Sequence, residues 1–299
     1  MKDLLDNNLY NAIASQFVIE NIEEVRLRAN APVVICALGK NYLLKSQDGY
    51  YKATDYELNY AISRATQNSL YAVNDQIQQM FIGYKGGIRI GITGDVVCEN
   101  SKVKTIKYIN SLNIRLPHQV KDFAKIALNF IYNNGKINST LVVSEPGAGK
   151  TTLLRDICRG MCSYSKVHNV LLVDERYEIA CCNKGRPMLN VGLFTDIISG
   201  GNKKFAFNQA VRSLKPDVII TDELANEEDY IAVRQAVNSG VSVVASVHAK
   251  NQLELMNNSY IKQMLLDGIF TRIIVLSSQS PNRYQGIYDN KLKCLYMPY

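Results

Sequence analysis

The 299-residue sequence contains no apolar run approaching the 18 or more residues of a membrane-spanning helix. Its opening stretch, MKDLLDNNLYNAIASQF, mixes acids and amides into its apolar residues and so lacks the apolar core of a secretion signal. A soluble, intracellular protein is the expectation. No Cys-x-x-Cys pair occurs among Cys36, Cys98, Cys158, Cys162, Cys181, Cys182 and Cys294, and no histidine set lies near them, so no metal site is read from cysteine. The thiols are expected to be reduced core residues, with a redox or metal role for the adjacent Cys181 and Cys182 as the rarer alternative. The net charge is +7, yet the 34 basic residues form no tract that would bind nucleic acid or anionic lipid by itself. Internal repeats and low-complexity segments are also missing.

What the chain does have is apolar residues in regular order. With 47% hydrophobic and 20% charged residues it can bury a sizeable core, and its length suits two domains of ordinary size. Residues 1–118 alternate the strand-like runs EEVRLRA and PVVICAL with the helical stretches DYELNYAISRATQ and LYAVNDQIQQM. The glycine-rich GYKGGIRIGITGDVVC that follows reads as a hairpin, and together these predict a smaller N-terminal α+β domain. In residues 119–299, apolar β-branched runs alternate with helices, which predicts an α/β domain on a mainly parallel sheet. The stretch NIRLPHQVKD is the expected linker.

Four strands are expected in the second domain, STLVVS, NVLLVDE, DVIITDE and VSVVASVH, each ending on a polar or acidic residue. Open parallel sheets bind ligands beyond the carboxyl ends of their strands, so these residues are expected along one edge. The first strand runs through SEPGAGKTT into the helical TLLRDICRGM. Strand, glycine loop and helix in that order suit a nucleotide's phosphates. Backbone N–H groups and the helix N-terminus face the anion, Lys150 adds positive charge near the β- and γ-phosphates, and Thr151 offers a magnesium ligand. Gly147 and Gly149 allow turns that a side chain would block. Ser144, Glu145, Pro146, Gly147, Ala148, Gly149, Lys150, Thr151 and Thr152 are the expected nucleotide contacts. Ser144 stands where such a loop usually has its first glycine, a place that a small residue can fill if its φ is negative. A purely structural turn is the alternative.

In DVIITDE, Asp222 is placed to hold magnesium or its water, and Glu223 to orient a water attacking the γ-phosphate. The alternative is that this pair caps the helix NEEDYIAVRQAV just beyond it. His248 ends the last of the four strands. If that strand inserts between the Asp-Glu strand and the loop strand, His248 lies near the γ-phosphate; otherwise it is an ordinary surface or core histidine. His118 and His168 lack such context and are expected to be structural.

The ordered runs SEPGAGKTTLLRDICRG, VLLVDERYEIA, AVRSLKPDVIITDEL and VNSGVSVVASVHA resemble the stage III sporulation protein AA family, relatives of secretion and type IV pilus motor ATPases. EEVRLRANAPVVI, SLYAVNDQIQQMFIGYKGGIRIGITGDVV and INSLNIRL agree, so the resemblance runs from about residue 20 to about residue 280. It implies a RecA-like P-loop ATPase core behind the N-terminal domain, in a homohexameric ring with ATP and Mg2+ between subunits. It also implies a cytoplasmic place in the mother cell of endospore-forming bacteria, docked on membrane-embedded channel proteins that join mother cell to forespore. Residue by residue, it implies a Walker A loop at Gly147, Gly149, Lys150 and Thr151, and an acidic box at Asp174 and Glu175. The Walker B pair is then Asp222 and Glu223, the histidine box His248, and the family arginines Arg89, Arg115 and Arg212. Glu175 has a plainer reading as a surface ion pair with Arg176. Phe194 in NVGLFTD stands where the family places an arginine, and an arginine donated across a subunit boundary contributes roughly 10³- to 10⁵-fold to phosphoryl transfer.

Three functions stay open: a ring ATPase that drives or assembles a membrane transport complex, a nucleic-acid-stimulated ATPase, and a nucleotide-gated scaffold with little turnover. No aromatic-and-basic stacking platform is seen, which argues against nucleic acid as a partner. Ser144 and Phe194 are the residues that favour the scaffold.

Overall fold

The computed structural model describes residues 1–298 apart from 70–72, 100, 101, 118, 119, 121, 134, 163–166 and 184. The expected domain join at 118 and 119, His118, and the start of the helical stretch at 70–72 lie outside the described residues. The chain divides into two compact units, Met1–His118 with Cys181–Met188, and Gln119–Ala180 with Leu189–Tyr299.

The first unit is α+β. Helix α1 (Asn7–Ala14) precedes strands β1 (Ile22–Arg28), β2 (Val34–Ala37) and β3 (Lys40–Leu43), and helices α2 (Asp55–Thr66) and α3 (Asn74–Gln78) precede β4 (Phe81–Tyr84), β5 (Ile88–Glu99) and β6 (Lys102–Arg115). The sheet is antiparallel in the order β3-β2-β1-β6-β5-β4. Its buried face follows the two-residue strand period: Val25 and Leu27, Ile90 and Ile92, Leu112 and Ile114 pack with Leu9 and Ile13 of α1 and Leu58 and Ala61 of α2. Helix α2 starts at a capping box in which Thr54 and Glu57 satisfy each other's backbone amides. Among the described residues of LYAVNDQIQQM, α-helix is confined to the five residues of α3, and it ends where Met80 turns into left-handed backbone (φ 60°) and Phe81 begins β4. The expected hairpin forms between β4 and β5 around Gly86 and Gly87 (φ 70° and 79°), and β5 then runs on as a long arm paired with β6.

The second unit is α/β. Its elements are α4 (Lys125–Ile131), β7 (Thr140–Ser144), α5 (Lys150–Met161), β8 (Val170–Asp174), β9 (Thr195–Ser199), α6 (Lys203–Ser213), β10 (Val218–Glu223), α7 (Glu227–Asn238), β11 (Ser242–His248), α8 (Ser259–Leu266), β12 (Arg272–Leu276), β13 (Tyr284–Asp289) and β14 (Cys294–Tyr296). The sheet order is β9-β8-β10-β11-β7-β12-β13-β14, parallel from β9 to β12 and antiparallel beyond. Four of these strands carry the sequence signature described above. The structure adds β9, β12, β13 and β14. Strand β9 is an edge strand whose residues are none of them buried, so it lacks the apolar run that marks the central strands.

Both faces of the central strands are covered, which is why they read as continuous apolar runs. Leu141, Val143, Leu171, Val173, Ile219, Val243 and Ala245 pack with residues of α6, α7 and α8, such as Phe207, Val233 and Met264. The alternate residues Val142, Leu172, Ile220 and Val244 are equally buried and turn to the side where α5 packs. Because β7, β10 and β11 run parallel, their final residues Ser144, Glu223 and His248 gather at one edge.

Among the cysteines, Cys158 and Cys182 are buried as expected, but Cys98 and Cys294 are exposed, since they stand on outward positions of β5 and β14. Cys36, Cys98, Cys158, Cys162 and Cys294 are free thiols. His168 is buried at the edge of the fold, its ring 5.3 Å from that of Tyr132 and Nδ1 3.9 Å from Asp217.

Candidate functional site

Strand β7 ends on Ser144, which is fully buried and donates its hydroxyl to the Glu145 carbonyl at 2.7 Å. Extended backbone at this position needs no glycine, so the serine fits without strain. The next turns do need glycine: Gly147 and Gly149 have φ of 79° and 105°, in the left-handed region. Gly149 caps α5 without any side-chain hydrogen bond, so the first amides of this 12-residue helix have no side chain as acceptor. An uncapped helix N-terminus behind a glycine loop is an anion site by construction. Glu145, Pro146 and Gly147 are exposed on this loop, Ala148 is buried beneath it, and Thr151 and Thr152 are half-buried in the first turn of α5.

Lys150 reaches back over the loop. Its ammonium donates to the carbonyls of Ser144 (3.0 Å) and Glu145 (3.3 Å), to the Ser144 hydroxyl (3.3 Å), and to Nδ1 of His248 (3.0 Å). His248 in turn lies 3.3 Å from Glu223, Nε2 to Oε2. A protonated lysine only donates, so Nδ1 accepts and Nε2 carries the proton that faces Glu223. The contact exists because β11 inserts between β10 and β7, with His248 paired directly to Ser144. Burial pushes the Lys150 pKa down to about 8, against the pull of Glu223 in the other direction.

The end of β10 carries a bulge: Ile220 pairs with Val244 but Glu223 pairs with Ser246, so β10 has one extra residue there. Glu223 then meets His248 and also Arg176 (3.3 Å). Asp222 turns the other way, to Lys203 at 2.9 Å, while its second oxygen is buried without a hydrogen-bond partner. Burial raises the Asp222 pKa, and Lys203 opposes that rise. The capping alternative fails, since α7 is capped by Asn226 and Asp229 in a capping box of their own.

Lys203, at the start of α6, is nearly completely buried and also pairs with Glu175. It joins β8, β10 and α6 by charge, and no motif in the sequence announces it. Its only outward sign is a charged residue directly after the helix-capping Asn202. Asp174 is used differently: it is fully buried and accepts the backbone amides of Glu178 (2.9 Å), Ile179 (3.1 Å) and Ala180 (2.9 Å), so it shapes the loop after β8 while Glu175 faces the site.

The remaining expected residues stand elsewhere. Arg89 and Arg115 are direct cross-strand partners on β5 and β6 of the first unit. The Arg89 guanidinium lies over the Phe81 ring at 4.1 Å, and Arg115 pairs with Glu24 at 3.4 Å. Arg212 is exposed in the last turn of α6, roughly 13 Å along the helix axis from Lys203. Phe194 accepts the amide of Val170 at 3.2 Å and so sits beside the start of β8, at the opposite edge of the sheet from Ser144. Within one chain, neither Arg212 nor Phe194 joins the loop.

With this geometry in place, comparisons with known proteins fall into line. A family model described as sporulation stage III, protein AA, matches residues 3–295. Stage III sporulation protein AA of Bacillus subtilis is 34% identical over 288 residues, covering 94% of this chain and 91% of that protein. The chain belongs to the sporulation stage III protein AA family. Among solved structures, the pilus retraction motor PilT with bound ADP is similar at a TM-score of 0.62 and 16% identity, covering 90% of this chain and 77% of that one. The ATPase DotB of Legionella pneumophila is similar at a TM-score of 0.61 and 13% identity, covering 94% of this chain and 79% of that one. At such identities the likeness is one of fold, a RecA-like P-loop core.

Lys203→Met keeps the apolar stem and removes the charge, leaving Asp222 buried beside Glu175 without its cation. Urea unfolding at pH 7 is expected to show a loss of about 3 kcal/mol. The loss should shrink as pH falls, because a carboxyl whose folded pKa is raised is stabilised by protonation; an undiminished loss at pH 5 would refute the pairing.

The Lys150 ammonium gives a second expectation. In the free protein it deprotonates above pH 8, whereas a bound polyphosphate raises its pKa, so binding in that range takes up a proton. Nucleotide affinity should fall by up to about tenfold per pH unit between pH 8.5 and 9.5. Calorimetry in two buffers of different ionisation enthalpy reads the uptake directly, and a flat profile with no uptake rejects the assignment.

Proposed function

We propose that this protein hydrolyses ATP to ADP and phosphate with Mg2+ as cofactor. The observation that carries the reading is the contiguous chain Lys150–His248–Glu223 at the open N-terminus of α5. The loop amides and Lys150 hold the β- and γ-phosphates. Glu223 orients a water for attack on the γ-phosphorus and accepts its proton, while Lys150 and the amides stabilise the charge that develops on the leaving ADP. His248, between the two, turns its Nε2–H from Glu223 to the γ-phosphate once Lys150 has released Nδ1. Thr151 and Asp222 are the residues that would hold Mg2+, and the buried, unpartnered oxygen of Asp222 suits a metal or its water. Such a metal supplies charge neutralisation at the phosphates.

Family membership supports a setting for this activity. The proposal is a homohexameric ring of the mother-cell cytoplasm that drives or assembles membrane-embedded sporulation channel proteins, with nucleic acid not a partner. No helix among the described residues is long and apolar enough to cross a membrane. Arg89 and Arg115, in the N-terminal domain of residues 1–118, act as the family arginines for the nucleotide phosphates. Arg212 and the position of Phe194 serve subunit boundaries. Glu175 tunes the site through Lys203.

Lys150→Ala is expected to abolish ATP binding nearly completely, and Glu223→Gln to keep binding while lowering turnover by a factor on the order of 10² or more. Calorimetric titration and phosphate release separate the two. Turnover that survives in Glu223→Gln would move the water-positioning role to another carboxylate.

ATP favours a closed or assembled state only by binding it more tightly than the open one. Replacing Arg89 and Arg115 together by alanine is therefore expected to lower ATP-dependent assembly and turnover more than it lowers ATP affinity. Sedimentation beside phosphate release decides the point, and wild-type assembly with wild-type turnover excludes the role.

A further inference from the structure

A triphosphate on this loop has a direction. Glu223 and His248 mark its terminal end, on the β10 and β11 side of β7. The nucleoside leaves away from those carboxylates, toward the side where β12 is next in the sheet. On that side two residues from distant parts of the chain flank Gly149. Phe123, from the segment before α4, brings its ring edge to 3.5 Å from the place a Cβ on Gly149 would occupy, and the Arg283 side chain comes to 3.6 Å from the same point.

Neither residue is there by accident of a loose loop. The peptide that follows Phe123 is tied down by both its polar groups: the Ala124 amide donates to the buried carboxylate of Asp156 at 2.8 Å, and the Tyr284 hydroxyl donates to the Phe123 carbonyl at 2.7 Å. The Tyr284 ring also meets the Phe123 ring edge-on, centroids 5.5 Å apart. Asp156 is itself held by Arg159 at 2.8 Å. Arg283 donates to the Gly147 carbonyl at 3.1 Å, which lays it over the phosphate loop. It does so from left-handed backbone, φ 61°, after Asn282 at φ 52°. A non-glycine residue kept in such a conformation costs free energy, and that cost persists at sites where the conformation has a use.

We propose that Phe123 and Arg283 form the nucleobase site of this protein, an aromatic ring and a guanidinium plane against which the base stacks; the assignment rests on the nucleotide reading above. Phe123 is half-buried and Arg283 exposed, so both have surface left to offer. Stacking on a ring and a cationic plane rewards the area of the base and is indifferent to its edge. The site therefore favours purines over pyrimidines and separates adenine from guanine weakly.

The test uses the full chain and three probes, ATP, CTP and inorganic tripolyphosphate, each with magnesium, in calorimetric titrations. The wild type should bind ATP more tightly than CTP. Phe123→Ala and Arg283→Gln should each weaken ATP by about tenfold, narrow the gap between ATP and CTP, and leave tripolyphosphate within about twofold of wild type. Phe123→Leu, which keeps apolar packing without the ring, gives the same reading if the alanine variant folds poorly. Equal losses for ATP and tripolyphosphate would overturn the proposal, because the residues would then serve only the shape of the loop. Unchanged ATP affinity in folded variants would overturn it as well. A wild type that binds none of the probes points to failure of the nucleotide reading itself, a different result from either.

Discussion

The insertion of β11 between the loop strand β7 and the carboxylate strand β10 is the arrangement on which the rest of the site depends. Neighbouring strands lie about 4.8 Å apart, so this insertion sets the loop strand and the carboxylate strand roughly 10 Å apart. That is a span suited to a terminal phosphate with a water behind it. The inserted strand fills the gap with a histidine that hydrogen-bonds to both sides. The pairing of Ser144 with His248 is fixed by two fully buried faces, since a slip of one residue would exchange the core-facing sets of side chains. Packing against α5 on one side and α6 to α8 on the other thus holds the distance between cation and carboxylate.

Charge at the site is arranged in alternation. Arg176 pairs with Glu223, Lys203 is shared by Asp222 and Glu175, and the charge of Glu223 also acts on Lys150. A polyphosphate added to this set is not met by surplus positive charge. On the reading proposed above, it would draw Lys150 from the loop carbonyls and from His248, and so rearrange the Lys150–His248–Glu223 chain as it binds.

The loop, the acidic pair and the histidine were legible in the sequence because each depends on a short local order, strand then turn or strand then acid. The strand insertion that joins them was legible through the family resemblance and the sheet order bears it out. Lys203 was not, because its burial comes from three elements meeting, and a lysine after a helix cap is ordinarily a solvated residue. Phe123 and Arg283 are 160 positions apart and share no motif, so only the folded chain brings both to Gly149. The expectation of buried thiols failed at Cys98 and Cys294 because composition says nothing about which face of a strand a residue takes. Phe194 lies at the strand-start edge beside Val170, away from the loop of its own chain.

The surplus residue in β10 has a consequence for how this chain tolerates change. It sets Glu223 opposite Ser246 and toward His248, while Asp222 turns to the buried Lys203. A single-residue deletion between Ile220 and Glu223 would therefore act as a change of parity, moving Glu223 out of its place opposite Ser246 while every other residue kept its identity. The chemistry of the strand's tip is written in the count of its residues as much as in their kinds, and substitution scanning, which preserves that count, cannot see it.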